Sequence, residues 1–489
     1  MDIKQAKQEL RQTVLAYTAK TADGCYRMPR QQQRPILLMG PPGIGKTAVL
    51  GQIAQELQIG LVSYTMTHHT RQSALGLPVI VDRKAAGMQY RATEYTMSEI
   101  IAAVYEQMEK TGLREGILFL DEINCVSETL MPAMLQMLQC KTFGVHALPE
   151  GWVIAAAGNP PRYNQSARNF DMATLDRVRE LQIEPDVEAW QGYAQSRGVH
   201  PAILSYLRLH PEHFFCCDMR AAAGNFVTGR GWEDLSALLL SYESLGFACT
   251  QLQMQEYLHV PDIAAAFAAY YALFTKYAAQ LPLEKILRGQ YGAEAEPLRA
   301  MAFEGRLSVV EFLLHSLSIQ VRAVQQSAAL AFSAESFRAS VPDSGCLTQA
   351  KTRLEQRRTA LRIRREGGVL PPEEAQREHA FLAQVDTLLA AVQTDAQAAD
   401  ALRRFAADAR RTADGLRQQT CAALENGLQF IRQTFGEEQE LWILLSGFKS
   451  MGADRLLKTA GSKLYAEIQS EATPQAKAEA LRRALQENG

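Results

Sequence analysis

The chain has 489 residues and a mass of 54.2 kDa, which is enough for roughly three domains of ordinary size. Hydrophobic residues make up 47% of it and charged residues 21%, so it can bury several cores and global disorder is excluded. Its formal net charge of −2 argues against a basic nucleic-acid coat or a polybasic membrane surface.

The N-terminal residues do not have the features of a targeting segment. They are polar, and no signal-peptide apolar core follows them. The longest apolar run, Ile263 to Phe274, is too short to span a bilayer. Eight cysteines without a Cys-x-x-Cys pair indicate reduced thiols. We therefore expect a cytoplasmic protein that has no membrane contact.

In chain order, the predicted elements fall into four segments. Residues 1–33 predict a helix and a polar loop, because apolar residues recur at roughly helical spacing. In 34–185, short apolar runs alternate with helical stretches, which indicates a parallel sheet covered by helices on both faces. These runs are 36–39, 61–64, 117–120 and 153–157, and the section ends near 181–183. Residues 186–282 predict a mostly helical region, and 283–489 an all-α region rich in helix formers.

One long helix is predicted from Ala396 to Phe435, where apolar residues recur about every 3.7 residues. That period suits a helix packed on its neighbours better than a long left-handed coiled coil. Gly367-Gly368 and Pro371-Pro372 predict a turn before it. We therefore expect a helical hairpin or small bundle at about 345–435.

The strongest motif directly follows the first predicted strand and precedes a predicted helix. It fits the phosphate-loop pattern Gly-x-x-x-x-Gly-Lys-Thr. Its glycines let backbone N–H groups face a phosphate, Lys46 neutralises the β and γ charges, and the Thr47 hydroxyl ligates Mg²⁺. The predicted nucleotide-binding residues are Gly40, Pro41, Pro42, Gly43, Ile44, Gly45, Lys46 and Thr47.

Two acids end the apolar run at 117–120. Asp121 is predicted to hold Mg²⁺ together with Thr47, and Glu122 to polarise the attacking water. A strand that leaves the core for solvent often ends in acids. The pair therefore becomes a strong indication only in combination with the phosphate loop.

An amide and an arginine complete the predicted site. Asn159 ends the next apolar run, so in the same sheet it would lie near the γ-phosphate, although an Asn-Pro turn alone also explains it. Arg177, at the end of the α/β section, is placed to reach a neighbouring subunit's nucleotide. Such a finger contributes on the order of 10³–10⁵ in rate. A surface salt bridge is the alternative interpretation of Arg177.

In this order the four motifs resemble those of AAA+ ATPases, specifically of the MoxR-like branch. Members of that branch carry Leu-Asp-Glu-Ile-Asn and Leu-Asp-Arg-Phe segments, which correspond to 120–124 and 175–178 here. The resemblance covers roughly 30–280. It implies a P-loop AAA+ α/β core and a helical lid, to which an all-α C-terminal domain is added. Cys125, Thr228-Gly229 and Val178 replace the family's usual arginine, Ser-Pro and phenylalanine.

The resemblance also implies roles and partners. Asn159 becomes the first sensor, Arg177 a finger that acts in trans, and Arg230 the second sensor, with Arg220 the less favoured candidate. It implies ATP rather than GTP, together with Mg²⁺. It further implies a ring, expected to be a hexamer, a partner with a von Willebrand factor A domain, and a protein client.

A hairpin is predicted from two strand-like arms at 79–81 and 90–95 around a polar turn at 84–87. Relatives in the family insert such a hairpin at this place, facing the pore of the ring. The loop from Thr67 to Arg71 leads into it. A surface hairpin without substrate contact is an alternative of comparable weight.

A possible zinc cluster is formed by His210, His213, Cys216 and Cys217, whose spacing is near-helical and whose side chains bind zinc elsewhere. Adjacent cysteines are poor paired ligands, and the phenylalanines at 214–215 indicate core packing. Packing is therefore the favoured interpretation.

The preferred function is an ATP-driven chaperone or remodeller of a protein client. A nucleic-acid-directed motor is one alternative, and the near-neutral charge argues against it. A scaffold that assembles with nucleotide but does not hydrolyse it is another, against which the intact Lys46, Asp121 and Glu122 argue. The arginine-rich stretch 353–365 predicts a solvated helix face with local ion pairs. We expect 285–489 to contain a partner-docking arm.

Overall fold

The computed structural model of the protein describes residues 1–68, 74, 76–85, 88–143, 146–164, 166–218, 225–292, 296–436 and 438–471. The strands are Ile36–Met39 (β1), Gly60–Thr65 (β2), Pro78–Ala85 (β3), Met88–Tyr95 (β4), Gly116–Asp121 (β5), Thr142–Phe143 (β6), His146–Ala147 (β7), Trp152–Gly158 (β8), Arg179–Gln182 (β9), Cys216–Asp218 (β10) and Asn225–Val227 (β11). The α-helices are Ile3–Thr18 (α1), Lys46–Leu57 (α2), Glu99–Thr111 (α3), Met131–Cys140 (α4), Met172–Leu175 (α5), Val187–Arg197 (α6), Pro201–Leu209 (α7), Gly229–Leu245 (α8), Gln251–Gln255 (α9), Pro261–Gln280 (α10), Leu283–Leu287 (α11), Glu296–Arg299 (α12), Phe303–Ala339 (α13), Cys346–Glu366 (α14), Pro372–Ala390 (α15), Asp395–Phe435 (α16), Gln439–Met451 (α17), Ala453–Ala460 (α18) and Lys463–Glu471 (α19).

A five-stranded parallel sheet has the order β2-β5-β8-β1-β9. Ile36 of β1 pairs with Ala155 of β8 on one side and with Arg179 of β9 on the other. Because all five strands run in the same direction, the residues that follow β1, β5 and β8 leave the sheet at one edge. The predicted parallel sheet is confirmed, and its topology brings the phosphate loop, the two acids and Asn159 to that common edge.

The two faces of this sheet carry two separate apolar cores. Neighbouring residues of a strand point to opposite faces. Leu118 and Leu120 therefore enter one core, while Ile117 and Phe119 enter the other. Helices α3 and α4 cover the first face and α1 and α2 the second. The N-terminal helix is thus part of the layered structure, with the side chain of Leu10 fully buried.

Two strand pairs lie outside the main sheet and bear on the predictions. The antiparallel pair β3–β4, which runs from Pro78↔Tyr95 to Ala85↔Met88, confirms the predicted hairpin. Residues 69–73 and 86–87 of that prediction lie outside the described residues. The pair β10–β11 interrupts the region 186–282, which the sequence predicts as mostly helical. Each of its strands has only three residues, which is too short for an alternating pattern to emerge.

The helical region contains the predicted long helix as α16, which begins and ends within one residue of the prediction. The Thr394 side chain caps its first turn in a capping box with Gln397. Gly436 ends it with a φ of 79°, which favours glycine. Helices α13 and α16 share one apolar core, where Leu317 and Leu428 are fully buried.

The described residues divide into two compact units. The first comprises those of 1–189, 217–230 and 352–383, and the second those of 190–216, 231–351 and 384–471. The first unit therefore includes two segments from later in the chain, namely 217–230 and the turn between α14 and α15 with its flanking residues.

Two hydrogen bonds hold this turn within the first unit. The Gln107 amide donates to the Gly367 carbonyl, and Arg364 Nη2 donates to Gln58 Oε1 at 3.1 Å. The arginine-rich face of α14 also forms the predicted local ion pairs, among them Arg358–Glu355 at 2.7 Å.

One described helix, α13, is long and apolar enough to cross a membrane by length and composition alone. Of its most apolar stretch, 61% is buried inside the protein. A buried core helix passes the same test, so this helix is weak evidence for a membrane span.

Candidate nucleotide site

The backbone of the phosphate loop depends on glycine at three positions between β1 and α2. Gly43 and Gly45 have φ angles of 75° and 91°, a region that other residues rarely adopt. A Cβ on Gly40 would lie 2.6 Å from the Ile183 carbonyl oxygen. The loop therefore curls tightly at the N-terminus of the 12-residue helix α2, where backbone N–H groups and the helix dipole favour a phosphate.

The Lys46 side chain is buried inside this loop, with 8% of the residue exposed. Its ammonium group donates to the carbonyl oxygens of Gly40 and Pro41, both at 2.8 Å, and to Asn159 Oδ1 at 2.9 Å. Burial, aided by the charge of Arg230 and opposed by nearby carboxylates, lowers the pKa of Lys46 to about 8. These acceptors are uncharged oxygens, so a negatively charged phosphate would form stronger hydrogen bonds with the Lys46 ammonium group.

Thr47 and Asp121, the two predicted metal ligands, lie side by side. Thr47 Oγ1 donates to Asp121 Oδ2 at 3.0 Å, and the backbone N–H of Glu122 donates to Asp121 Oδ1 at 2.9 Å. A hydroxyl and a carboxylate oxygen in contact match the oxygen ligands that Mg²⁺ takes beside substrate phosphates. These residues therefore fit the predicted ion.

Glu122 has a left-handed backbone with a φ of 54°. Such a conformation in a residue other than glycine costs about 1–3 kcal/mol and is common at functional sites. Its carboxylate accepts a hydrogen bond from Thr67 Oγ1 at 3.0 Å. Thr67 follows β2, and Thr65 of that strand pairs with Asp121. No motif in the sequence marks Thr67 as a site residue, although its position after β2, a neighbour of β5, indicates the same end of the sheet.

Asn159 is held in place by Asn124, a second residue that the sequence analysis did not assign to the site. Asn124 is fully buried, and its amide donates to the Asn159 carbonyl at 2.8 Å and to the Arg168 carbonyl at 3.2 Å. A Cβ on Gly158 would lie 2.6 Å from Asn124 Oδ1, so the approach of the two segments requires that glycine. The motif at 120–124 therefore supplies a positioning residue as well as two acids.

Arg230 also lies at this edge, in the same compact unit. A Cβ on Gly43 would lie 2.8 Å from Thr228 Oγ1, which places the segment before α8 against the phosphate loop. The effect of Arg230 on the pKa of Lys46 indicates the same proximity. Arg220, the less favoured candidate for this role, lies outside the described residues.

Arg177 lies far from the nucleotide edge of its own chain. It precedes β9, whose first residue, Arg179, pairs with Ile36 at the start of β1, whereas the phosphate loop follows Met39 at the end of that strand. A strand rises about 3.3 Å per residue, so the ends of β1 are about 10 Å apart. Arg177 is exposed and donates to the Ala173 carbonyl at 3.2 Å. The structure therefore brings six of the predicted polar residues, including Arg230, to one place and leaves Arg177 at the opposite end of the strands.

The family model of the AAA domain (dynein-related subfamily) matches residues 35–178. This range contains the phosphate loop, both acids, Asn159 and Arg177. It therefore contains an AAA domain, which confirms the predicted class of core. A comparison with curated proteins finds no match.

Three solved structures show a weak likeness. A putative ATPase from Cytophaga hutchinsonii ATCC 33406 is 16% identical over 40% of this chain and 51% of that one, with a TM-score of 0.26. A Thermotoga maritima RuvB mutant is 16% identical over 41% and 51%, with a TM-score of 0.26. Another RuvB mutant of that organism is 16% identical over 60% and 82%, with a TM-score of 0.31. The chain spans about half the length of the first two, and the domain assignment rests on the family model.

Proposed function

We propose that this protein hydrolyses ATP as a ring ATPase of the MoxR-like AAA+ branch and uses the energy to remodel a protein client in the cytoplasm. One observation carries the hydrolytic part. Hydrogen bonds join Lys46 to Asn159, Thr47 to Asp121 and Thr67 to Glu122 at one edge of the sheet. This arrangement supplies a phosphate cradle, a metal-binding pair, a carboxylate for water and an orienting amide.

ATP binding uses the loop and its lysine. The backbone N–H groups between Gly40 and Thr47 contact the phosphates, and the Lys46 ammonium exchanges its carbonyl partners for phosphate oxygens. Thr47 and Asp121 hold Mg²⁺, which neutralises charge on the phosphate oxygens when bound. Arg230 adds a positive charge from the segment that precedes α8.

Water activation is assigned to Glu122 and Asn159. Glu122 accepts a proton from the attacking water once its carboxylate has left the Thr67 hydroxyl. Asn159, released from Lys46 by the phosphates, orients the same water through its amide. Asn124 keeps Asn159 in place because it binds the backbone rather than the side chain.

The position of Arg177 supports a ring. It lies before β9, at the end of the strands opposite the chain's own phosphate loop, and we propose that its charge reaches a nucleotide in a neighbouring copy. Two exposed apolar residues accompany it, Met172 with 84% and Leu175 with 37% exposed, and apolar contact with a neighbour would cover them. We propose a hexamer on the basis of the family resemblance.

The client contact is assigned to the β3–β4 hairpin. Its apolar side chains are unusually exposed, with 71% of both Ile80 and Met88 and 50% of Tyr90 accessible. A surface of this kind fits an apolar segment of a client protein. A partner with a von Willebrand factor A domain is proposed from the family resemblance, and the described helices of 285–489 are its proposed docking region.

The test is ATP hydrolysis per protomer across a range of protein concentrations, with Glu122→Gln and Arg177→Ala beside the unchanged chain. A shared site predicts a rate that rises with concentration and falls strongly in both variants. Mixing the two variants should restore part of the rate, because Glu122→Gln protomers still provide Arg177 to neighbours that retain Glu122.

Arg404→Ala is the control, because Arg404 is an exposed arginine of α16 with 77% of its side chain accessible. It should hydrolyse ATP like the unchanged chain. No recovery on mixing contradicts the action in trans. If ATP induces a ring but Glu122→Gln leaves the hydrolysis rate unchanged, the protein is instead a scaffold that assembles with nucleotide.

A further inference from the structure

A group of ligand-type side chains lies in the second compact unit, apart from the nucleotide residues. The 3₁₀ turn Pro211–His213 follows α7 and brings His210, Glu212 and His213 together. One ligand atom from each lies within 4.8 Å of the other two. The side chains are 44%, 63% and 26% exposed, so solvent reaches the group. No step of the proposed hydrolysis uses these residues.

The distances within the group are close to those of a bound ion's ligands. Glu212 Oε1 lies 3.4 Å from His210 Nδ1 and 3.8 Å from His213 Nε2. Two ligands at 2.0–2.2 Å from a tetrahedral zinc ion are about 3.3 Å apart. The carboxylate oxygen therefore lies near the required separation from both imidazoles, and the ligand atoms of the two histidines lie within 4.8 Å of each other.

Tyr206 orients the second histidine as a zinc site requires. Its hydroxyl lies 2.7 Å from His213 Nδ1. Metal-binding histidines usually donate the other ring N–H to such a partner, which fixes the tautomer and leaves a lone pair for the metal. With the proton on Nδ1, the free lone pair is on Nε2, which is the atom that faces Glu212.

The Tyr206 side chain is enclosed by packing, because the residue is 1% exposed and its ring belongs to an aromatic cluster. The ring centroids of Trp232 and Phe267 lie 5.9 Å and 5.3 Å from it. Backbone bonds hold the turn as well. His210 N–H donates to the Tyr206 carbonyl at 2.9 Å, and Trp232 Nε1 donates to the His213 carbonyl at 3.3 Å. The turn that carries the ligands is therefore held in place by aromatic packing and by hydrogen bonds to its backbone.

We propose that His210, Glu212 and His213 bind one Zn²⁺ ion, with Tyr206 as the positioning residue for His213. Two imidazoles and a carboxylate form a donor set that suits this ion, and a water takes the fourth position on the exposed side. The bound ion holds the turn between α7 and β10. The cysteines at 216–217 are not among the three ligands, so this donor set differs from the His/Cys cluster for which the sequence favoured packing over zinc. The rings of the two histidines stack, with their centroids 5.2 Å apart.

The test is a zinc titration of the full chain without nucleotide, after removal of metal by a chelator and in competition with a chromophoric chelator. We expect one Zn²⁺ per chain and a rise in Tm that follows occupancy. His210→Ala and His213→Ala should abolish both effects. Glu212→Gln, which keeps the shape of the side chain, should weaken affinity strongly. Tyr206→Phe should weaken it by about 10- to 100-fold, as is typical of residues that orient a ligand.

Two controls separate this site from other thiols and histidines. His379→Ala removes an exposed histidine of α15, and the double variant Cys216→Ser/Cys217→Ser removes the neighbouring thiols. Both should bind zinc like the unchanged chain. With Co²⁺, the complex should show visible bands without a thiolate band in the near ultraviolet. Absence of stoichiometric binding, binding that survives loss of both histidines, or binding that disappears with the cysteines overturns the proposal. Circular dichroism of each variant verifies its fold.

Discussion

The polar groups at the end of the sheet that carries the phosphate loop differ from those in the helical core around α13 in how permanent their hydrogen-bond partners are. At the edge, Lys46 is bound to two carbonyls and an amide, and Glu122 to the hydroxyl of Thr67. A substrate can replace each of these partners. In the helical core, the fully buried Glu311 is bound to Arg208 at 2.6 Å, deep among apolar side chains.

This difference predicts whether a substitution should change nucleotide binding and hydrolysis or the free energy of unfolding. Under the proposed function, the contacts at the edge are temporary, because the same groups then bind phosphate, metal or water. Their loss should therefore change nucleotide affinity or rate while stability changes little. In the buried pair, Arg208 compensates the buried charge of Glu311, so loss of Arg208 should change the free energy of unfolding. Substitutions in the two regions test this contrast.

The largest effect is expected at the edge, from Glu122→Gln. Removal of the carboxylate should lower the hydrolysis rate by about 10²–10⁴-fold, the usual contribution of a general base. Nucleotide affinity and Tm should stay within a small margin of the unchanged chain, because Gln still accepts the Thr67 hydrogen bond. Single-turnover hydrolysis and a fluorescent ATP analogue measure the two quantities. If Glu122→Gln lowers nucleotide affinity as much as it lowers the hydrolysis rate, the predicted difference between the two regions is wrong.

The next effect belongs to the helical core. Arg208→Met leaves the buried carboxyl of Glu311 without its cation, and this should cost about 3–5 kcal/mol of unfolding free energy. Burial already raises the pKa of Glu311. Without Arg208 that carboxyl protonates more readily, so the loss should shrink as pH falls and grow as pH rises. Urea denaturation at several pH values measures this.

A matched control for Arg208 is Arg404→Met. Arg404 pairs with Asp400 at 2.8 Å, but its side chain is 77% exposed. The cost should therefore stay below about 1 kcal/mol. Equal losses for both arginines would show that burial does not set the strength of these pairs.

A third prediction concerns pH and Lys46. Its pKa of about 8 in the free protein should rise when phosphates bind beside it. Affinity for an ATP analogue should stay constant below about pH 8 and fall by up to tenfold for each pH unit above it, because binding then takes up a proton. Calorimetry in buffers of different ionisation enthalpy measures that proton. An affinity of the unchanged chain that stays constant up to pH 9.5 contradicts the prediction. Lys46→Arg is the control, and its affinity should stay constant over this range because arginine does not lose its proton.

The smallest effect is expected from Thr67→Ala. If the hydroxyl restrains Glu122, its removal should raise basal hydrolysis by about two- to tenfold, the equivalent of one modest hydrogen bond. Thr67→Ser keeps the hydroxyl and should behave like the unchanged chain. An initial-rate assay at saturating ATP compares the three proteins. A lower rate in Thr67→Ala would mean that the hydroxyl helps the reaction rather than delaying it.

Local patterns in the sequence predict much of the fold because they record local physics. Apolar runs with no polar face, such as Ile117 to Leu120, identify strands buried on both sides. The ends of α16 follow from Thr394 and Gly436, whose capping roles depend only on a few neighbouring residues. The phosphate loop can be recognised from the sequence because the backbone conformation of the loop itself requires its glycines.

Contacts between distant segments could not be predicted in this way. Asn124 is one residue of a recognised motif, but its bond to Asn159 exists only because β5 and β8 are neighbours in the sheet. The same holds for Thr67 and Glu122. Gln107 and Gly367 are separated by most of the chain, and their sequence contexts contain no sign of their hydrogen bond.

The sequence by itself thus determined the P-loop core, the parallel sheet, the helical C-terminal region and the identity of the polar residues that follow β1, β5 and β8. These features depend on hydrophobic periodicity, on the residues at strand ends and on turn residues, and each of these signals is contained in a few neighbouring residues. Only the tertiary structure decided that Thr67 holds Glu122, that Arg177 lies opposite its own phosphate loop, and that His210, Glu212 and His213 converge without the cysteines. Those facts depend on strand order and on side-chain direction, which short-range patterns do not specify.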